Sequence, residues 1–152
     1  MAEQEALIAK FRESQTEFVS AVSGLSDQRT SEAWSGTWGI KQIVAHISGW
    51  ESTMTEALEK ITRGERPTVE GIDLSDTDGS NATFTERAAS TGFDEILDGL
   101  RSAGERLTAA IRAVPDDRIE EGRTARRIVE TLIRHPGEHT SEILGWRRAH
   151  GV

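Results

Sequence analysis

Four stretches of the chain repeat apolar residues at intervals of three, four and seven, the spacing that lines one face of an α-helix. In the first, Leu7, Phe11, Phe18, Val22 and Leu25 share a stripe. In the second, the stripe is Ile40, Ile43, Val44, Ile47, Met54, Leu58 and Ile61. The third carries Phe93, Ile96, Leu97, Leu100, Leu107, Ile111 and Val114, and the fourth Ile128, Val129, Leu132, Ile133, Ile143, Leu144 and Trp146. These stripes predict helices near residues 3–24, 38–62, 92–114 and 124–148. No segment alternates with period two, so no sheet is expected.

The punctuation between stripes agrees. Thr37 or Gly39 can cap the second helix, and Gly64 and Pro67 follow its end. Thr91 is a candidate cap for the third, with Asp94 and Glu95 in its first turn, and Pro115 ends it. Pro136-Gly137 falls inside the fourth stripe and is expected to kink or locally unwind it. Residues Arg63 to Ser90 carry no clear stripe. A connection that long can return along a bundle and set the second and third helices parallel, whereas the shorter joins favour antiparallel pairs. The expectation is an all-α, four-helix bundle with one long crossover between helices 2 and 3, folded as a single domain over residues 1–152.

Composition narrows the chemistry. With 152 residues the chain can bury a core of its own. It has no Tyr, and only four Phe and four Trp, so that core rests on Leu, Ile, Val and Ala. The net charge of −8 repels phosphate backbones. The pairs Arg126-Arg127 and Arg147-Arg148 are too short and isolated to offset it, so nucleic acid is not an expected partner. Cysteine is absent, which removes disulfides, thiol nucleophiles and thiolate ligands. Any metal must be held by imidazole or oxygen. The opening MAEQEALIAKFRES has no long apolar run, and no stretch approaches the ~20 apolar residues of a membrane span. A cytoplasmic location is the expectation.

Only four histidines are present: His46, His135, His139 and His150. His135 and His139 stand at i and i+4, side by side on a helix, where two imidazoles can converge on one ion. His46 lies at the edge of its stripe, and the other two lie at the edge of theirs in the same sense. Such edges are near a facing helix and still open to water. The bland alternative is that these are surface or hydrogen-bonded side chains. Pro136 adds a second alternative, because the residue before proline avoids the helical region and His135 would then swing away. His150 is eleven residues past His139, about 16 Å along a helix, and cannot share their ion. It reads as a disordered or solvated C-terminal residue.

The stretch Trp38-Gly39-Ile40-Lys41-Gln42-Ile43-Val44-Ala45-His46-Ile47, followed by Trp50-Glu51, resembles the second-helix signature of the DinB-like superfamily of four-helix-bundle proteins. His135-Pro136-Gly137-Glu138-His139, followed by Ile143 and Trp146-Arg147, resembles that family's last-helix pattern. Helix count, order of histidines and crossover position fit as well. The resemblance implies a three-histidine site for a divalent metal ion, zinc or nickel, at one end of the bundle, held by His46, His135 and His139. It also implies a homodimer. Two departures stand out: Gly39 replaces the usual hydroxyl cap, and Pro136-Gly137 interrupts a normally regular helix.

Around that site Glu138 and Glu142 are candidate proton carriers or outer partners of the ligands, though glutamates on helices are more often solvated. Trp38, Trp50 and Trp146 are candidate walls. Asp73, Asp76 and Asp78 lack the spacing and closing Glu of a calcium loop. Three protein ligands leave a coordination position open, the arrangement of a catalytic metal. The first functional reading is therefore a metal-dependent transferase or hydrolase acting on a small molecule; the family resemblance further implies a thiol as a candidate co-substrate. The second rests on Pro67 to Arg87, which loosely resembles a metal-independent branch that opens reactive cyclopropanes. The third is a non-enzymatic small-ligand-binding or stress protein.

Overall fold

In chain order the elements are α1 (Ala2–Val22), α2 (Asp27–Ser31), α3 (Ile40–Thr62), α4 (Thr77–Thr85), a 3-10 turn (Ala88–Ser90), α5 (Phe93–Ala113), α6 (Asp116–Ile119) and α7 (Thr124–His150). The computed structural model describes all 152 residues. A single antiparallel bridge, Ser35 to Trp38, is its only β pairing. The four long helices fall within two residues of the predicted limits. The crossover differs from expectation: it contains α4, whose start Asp76 caps by accepting from the Gly79 N–H at 3.0 Å.

The starts of α3 and α5 are shaped by residues of the connection between α1 and α3. Gly39 precedes α3, and its N–H donates to Gln42 Oε1 at 2.9 Å. A Cβ at Gly39 would lie 2.3 Å from the Glu32 carbonyl oxygen, so a hydroxyl-bearing cap has no room there. Gly92, not Thr91, caps α5. The first N–H of that helix, on Phe93, donates instead to Asp27 Oδ1 at 3.0 Å, and the Thr91 hydroxyl donates back to the Arg87 carbonyl.

The expected local unwinding at Pro136 is absent. Helix α7 runs uninterrupted from Thr124 to His150 with Pro136 buried inside it. Proline removes one donor from the ladder and crowds the preceding turn. The Ser14 hydroxyl on α1 donates to the Ile133 carbonyl at 2.7 Å in that turn, and the Thr140 hydroxyl donates to the Pro136 carbonyl at 2.9 Å. These hydroxyls add side-chain bonds on either side of the proline, and the segment is helical throughout.

The long helices pack in the cyclic order α1, α7, α3, α5, so α1 lies across the bundle from α3 and α5 across from α7, while α3 and α5 are neighbours. Helices α3 and α5 run parallel, as the crossover requires, since their N-terminal halves share one apolar cluster. That cluster joins Phe18 and Val22 to Ile40, Ile43, Ile47, Phe93, Leu100 and Ile143. A second cluster at the other end joins Leu7, Phe11, Leu58, Leu107, Ile111, Val129 and Leu132. Leu144, placed by periodicity on the apolar stripe, is 41% exposed. It lies one position past the buried Ile143, about 100° around the helix.

Between the clusters the helices carry polar groups. Glu51 on α3 is 1% exposed and accepts from Gln15 Nε2 at 3.2 Å. Gln15 Oε1 and Glu51 Oε2 are both buried without partners. Burial pushes the Glu51 carboxyl up to about 8, with the Gln15 bond opposing only in part. The acid is therefore neutral at pH 7.

Stability should depend on pH accordingly. Between the ordinary carboxylate value of 4.5 and about 8, the unfolded chain releases a proton that folded Glu51 keeps, so stability falls as pH rises. The buried imidazoles, His46 at about 3 and His135 at about 4, act oppositely: below 6.5 the unfolded chain takes protons that the fold refuses. Above pH 6.5 only the Glu51 effect of these remains. Wild-type Tm, measured without added metal, should fall by several degrees from pH 6.5 to pH 8, and Glu51→Gln should stay level over that window. Parallel curves for the two proteins would show that Glu51 is ionised in the fold.

Candidate metal centre

His46 is presented by the second turn of α3, and His135 and His139 by the middle of α7. His46 Nε2 lies 2.8 Å from His135 Nε2, which lies 3.2 Å from His139 Nε2. One ligating nitrogen from each ring fits within a set no more than 4.8 Å across. On α3 His46 stands among Ile43, Val44 and Ile47 of one apolar cluster, and on α7 His135 and His139 stand between Leu132 of the other cluster and Ile143 of the first.

The protonation of these rings follows from their partners. Trp50 Nε1 can only donate, and it donates to Asn81 Oδ1 at 2.7 Å. That identifies the Asn81 atom as oxygen. The same oxygen lies 2.9 Å from His46 Nδ1, so Nδ1 carries the proton and Nε2 is a bare lone pair. Burial holds His46 and His135 down at about 3 and about 4, and lowers His139 as well. All three are neutral imidazoles at pH 7, the form that binds metal.

Three neutral rings aimed at one point repel unless a proton or cation lies between them. A single proton on His135 Nε2 can serve His46 or His139 well, but not both. A tetrahedral ion with bonds of about 2.0–2.1 Å would set neighbouring nitrogens roughly 3.3 Å apart. The two close spacings, 2.8 and 3.2 Å, lie within about half an ångström of that, and all three donors lie within 4.8 Å of one another, so the donor set is of the kind that could hold a divalent ion after adjustment.

Asn81 was not legible as a site residue. It comes from α4, inside the crossover, where no stripe announced a helix. Its position depends on Gly49. A Cβ there would lie 2.3 Å from Phe84 Cγ, so glycine lets α4 approach α3 closely. Phe84 then packs edge-on to Trp50, ring centroids 5.2 Å apart, one turn along from Asn81.

The remaining candidates divide. Trp38 packs on His46 with centroids 5.0 Å apart, and Trp50 lines the adjoining cavity. Trp146 does not wall the site; it stacks on Trp34 at 5.4 Å within the apolar core. His150 is still helical rather than disordered, and its Nδ1 donates to the Trp146 carbonyl at 2.9 Å. Glu138 is exposed and faces Arg134 at 3.9 Å. Glu142 Oε1 lies 3.7 Å from His139 Nδ1, too far for a hydrogen bond, and that buried nitrogen has no other partner. Asp73 binds Ser75 and Asp76 caps α4, so this acidic group serves loop geometry.

Beside the histidines a cavity of about 450 Å³ opens between α3 and the first half of α7. His46 and His135 form one end of it, and Trp50, Met54, Ile128 and Leu132 supply most of its wall.

Removing the Asn81 oxygen should release His46. In Asn81→Ala, ¹⁵N spectra of the metal-free protein should show His46 moving from one Nδ1–H tautomer to a mixture. Affinity for a divalent ion should fall roughly 10–100-fold, the usual effect of losing an outer partner of a ligand. Gly49→Ala should do the same indirectly by displacing α4. An unchanged His46 tautomer in Asn81→Ala would remove Asn81 from the site.

No curated protein and no solved structure matches the chain. The profile of the DinB superfamily matches residues 10–143, a span that contains α3, the crossover and all three converging histidines. With the all-helical bundle and the long crossover already described, that match establishes that the chain belongs to the DinB superfamily.

Proposed function

We propose that this protein is a metal-dependent enzyme, a transferase or hydrolase acting on a small molecule, with zinc or nickel held by His46, His135 and His139. The observation that carries the proposal is the convergence of three neutral imidazoles, one with its Nε2 bared by Asn81, at the end of an apolar cavity. A bound ion with an open position would act as a Lewis acid and lower the pKa of a water or thiol placed on it.

The chain's own groups have separable roles in this reading. Asn81 fixes the tautomer of His46 and ties it to Trp50. Glu142, near His139 Nδ1, stabilises a proton on that nitrogen. Trp38 and Trp50 limit water at the histidine end, which strengthens every charge interaction there.

A non-enzymatic ligand-binding protein is the second reading, favoured by the same cavity. A metal-independent cyclopropane hydrolase would also use the cavity, but it leaves the three facing nitrogens without a task. The reading extends to a cytoplasmic homodimer, and sedimentation at high micromolar concentration checks the dimer.

Protein purified without an affinity tag should contain, or take up, one zinc or nickel ion per chain. His46→Ala, His135→Ala and His139→Ala should each weaken binding by more than the roughly 10–100-fold expected for an outer partner. If His135→Ala binds either ion as well as wild type, the three-histidine centre is wrong.

A further inference from the structure

The cavity beside the histidines has two unlike ends. Along α7 its lining runs from His135 back through Leu132, Ile128 and Arg127 to Thr124, a single helical stripe. Across from it, Trp50 and Met54 continue the line of His46 along α3. From His135 to Arg127 is eight residues, about 12 Å along the helix. The middle of the groove is apolar and the histidine end is neutral.

The far end is positive, in a chain whose net charge is −8. Arg127 lines it and has no carboxylate within ion-pair distance, unlike Arg126, which is paired with Glu130 at 2.8 Å. The first turn of α7 adds to this potential. It contains no acidic residue, and its N-cap Arg123 supplies no side-chain acceptor to the free N–H groups. Arg123 likewise has no carboxylate partner. A free guanidinium at the mouth of an apolar groove is suited to a carboxylate, which it can bind through two parallel hydrogen bonds.

We infer that this groove binds a small molecule with an apolar body and a terminal carboxylate, the carboxylate at Arg127 and the opposite end at the histidines. A carboxylate there leaves the far end of a medium-length chain near His46 and His135, and the hydroxyl of Thr131 lines the same wall. The inference rests on the metal-centre proposal for the identity of the reacting end. The anion site at Arg127 stands on the groove alone.

Calorimetric titration with octanoate, octanamide and octylamine tests it, each with metal-free and zinc-loaded protein. Octanoate should bind better than octanamide by roughly fivefold, the scale of one well-placed surface charge pair, and octylamine should bind least. Added salt should shrink the difference. Arg127→Gln should remove the preference, Arg127→Lys should keep part of it, and neither should alter zinc affinity. Ile128→Trp, which fills the groove, should weaken all three probes. In His135→Ala, which abolishes the metal site, octanoate should still bind. Octanoate binding that requires zinc and ignores Arg127→Gln would mean that the carboxylate goes to the ion, which overturns the inference. Equal affinity for octanoate and octanamide overturns it as well. Failure to bind zinc, with an intact Arg127-dependent preference, would defeat the metal-centre proposal and leave the anion site standing.

Discussion

Three imidazole nitrogens held face to face in a protein interior are an unfavourable arrangement, and the surrounding helices hold them so. His46 Nε2 and His135 Nε2 are 2.8 Å apart, and the His46 nitrogen has a lone pair because Asn81 takes its other side. In water such rings would turn away or take up protons. Here burial keeps them neutral and packing keeps them aimed. The groups that impose this are spread over three elements: α3 with His46 and Trp50, α4 with Asn81, and α7 with the histidine pair. The crossover, which by length alone could be a passive link, is what closes the site.

The core is divided into two apolar clusters, and on α3 the stretch between them carries Glu51. This polar zone is Glu51 and Gln15, two buried groups with an orphan oxygen each. A buried ionised carboxylate without a charged partner is strongly disfavoured, so the zone is tolerable because Glu51 is neutral. Apolar residues there would pack at least as well, and nothing in the fold requires the acid for stability.

Much of this was legible in the sequence, and the gaps have physical causes. The long helices were readable because each buries a continuous stripe, and the i, i+4 pair His135–His139 because helical geometry makes neighbours of such residues. Helix α4 was missed because it is nine residues long and buries only Ser80, so it has no stripe to show. Asn81 was missed with it. The unwinding expected at Pro136 did not occur: the helix is continuous there, and Ser14, more than a hundred residues away, bonds the Ile133 carbonyl in the preceding turn. Gly39 departed from the expected hydroxyl cap because the Glu32 carbonyl occupies the space a side chain would need.

The placement of the site has a consequence for how the two halves of α7 are used. Beyond His139 the helix packs Ile143 and Trp146 into the core, and Arg147 binds the last carbonyls of α1 at 2.8 Å, so that half is fixed on both sides. Before His135 the helix faces α3 across an open groove, and its exposed face carries the unpaired Arg127. Filling that groove with larger side chains would add apolar burial and stability. Trp50, Met54 and Ile128 instead stay partly exposed around an empty volume. An apolar groove that meets neutral imidazoles at one end and a free guanidinium at the other has a shape better accounted for by a ligand than by folding.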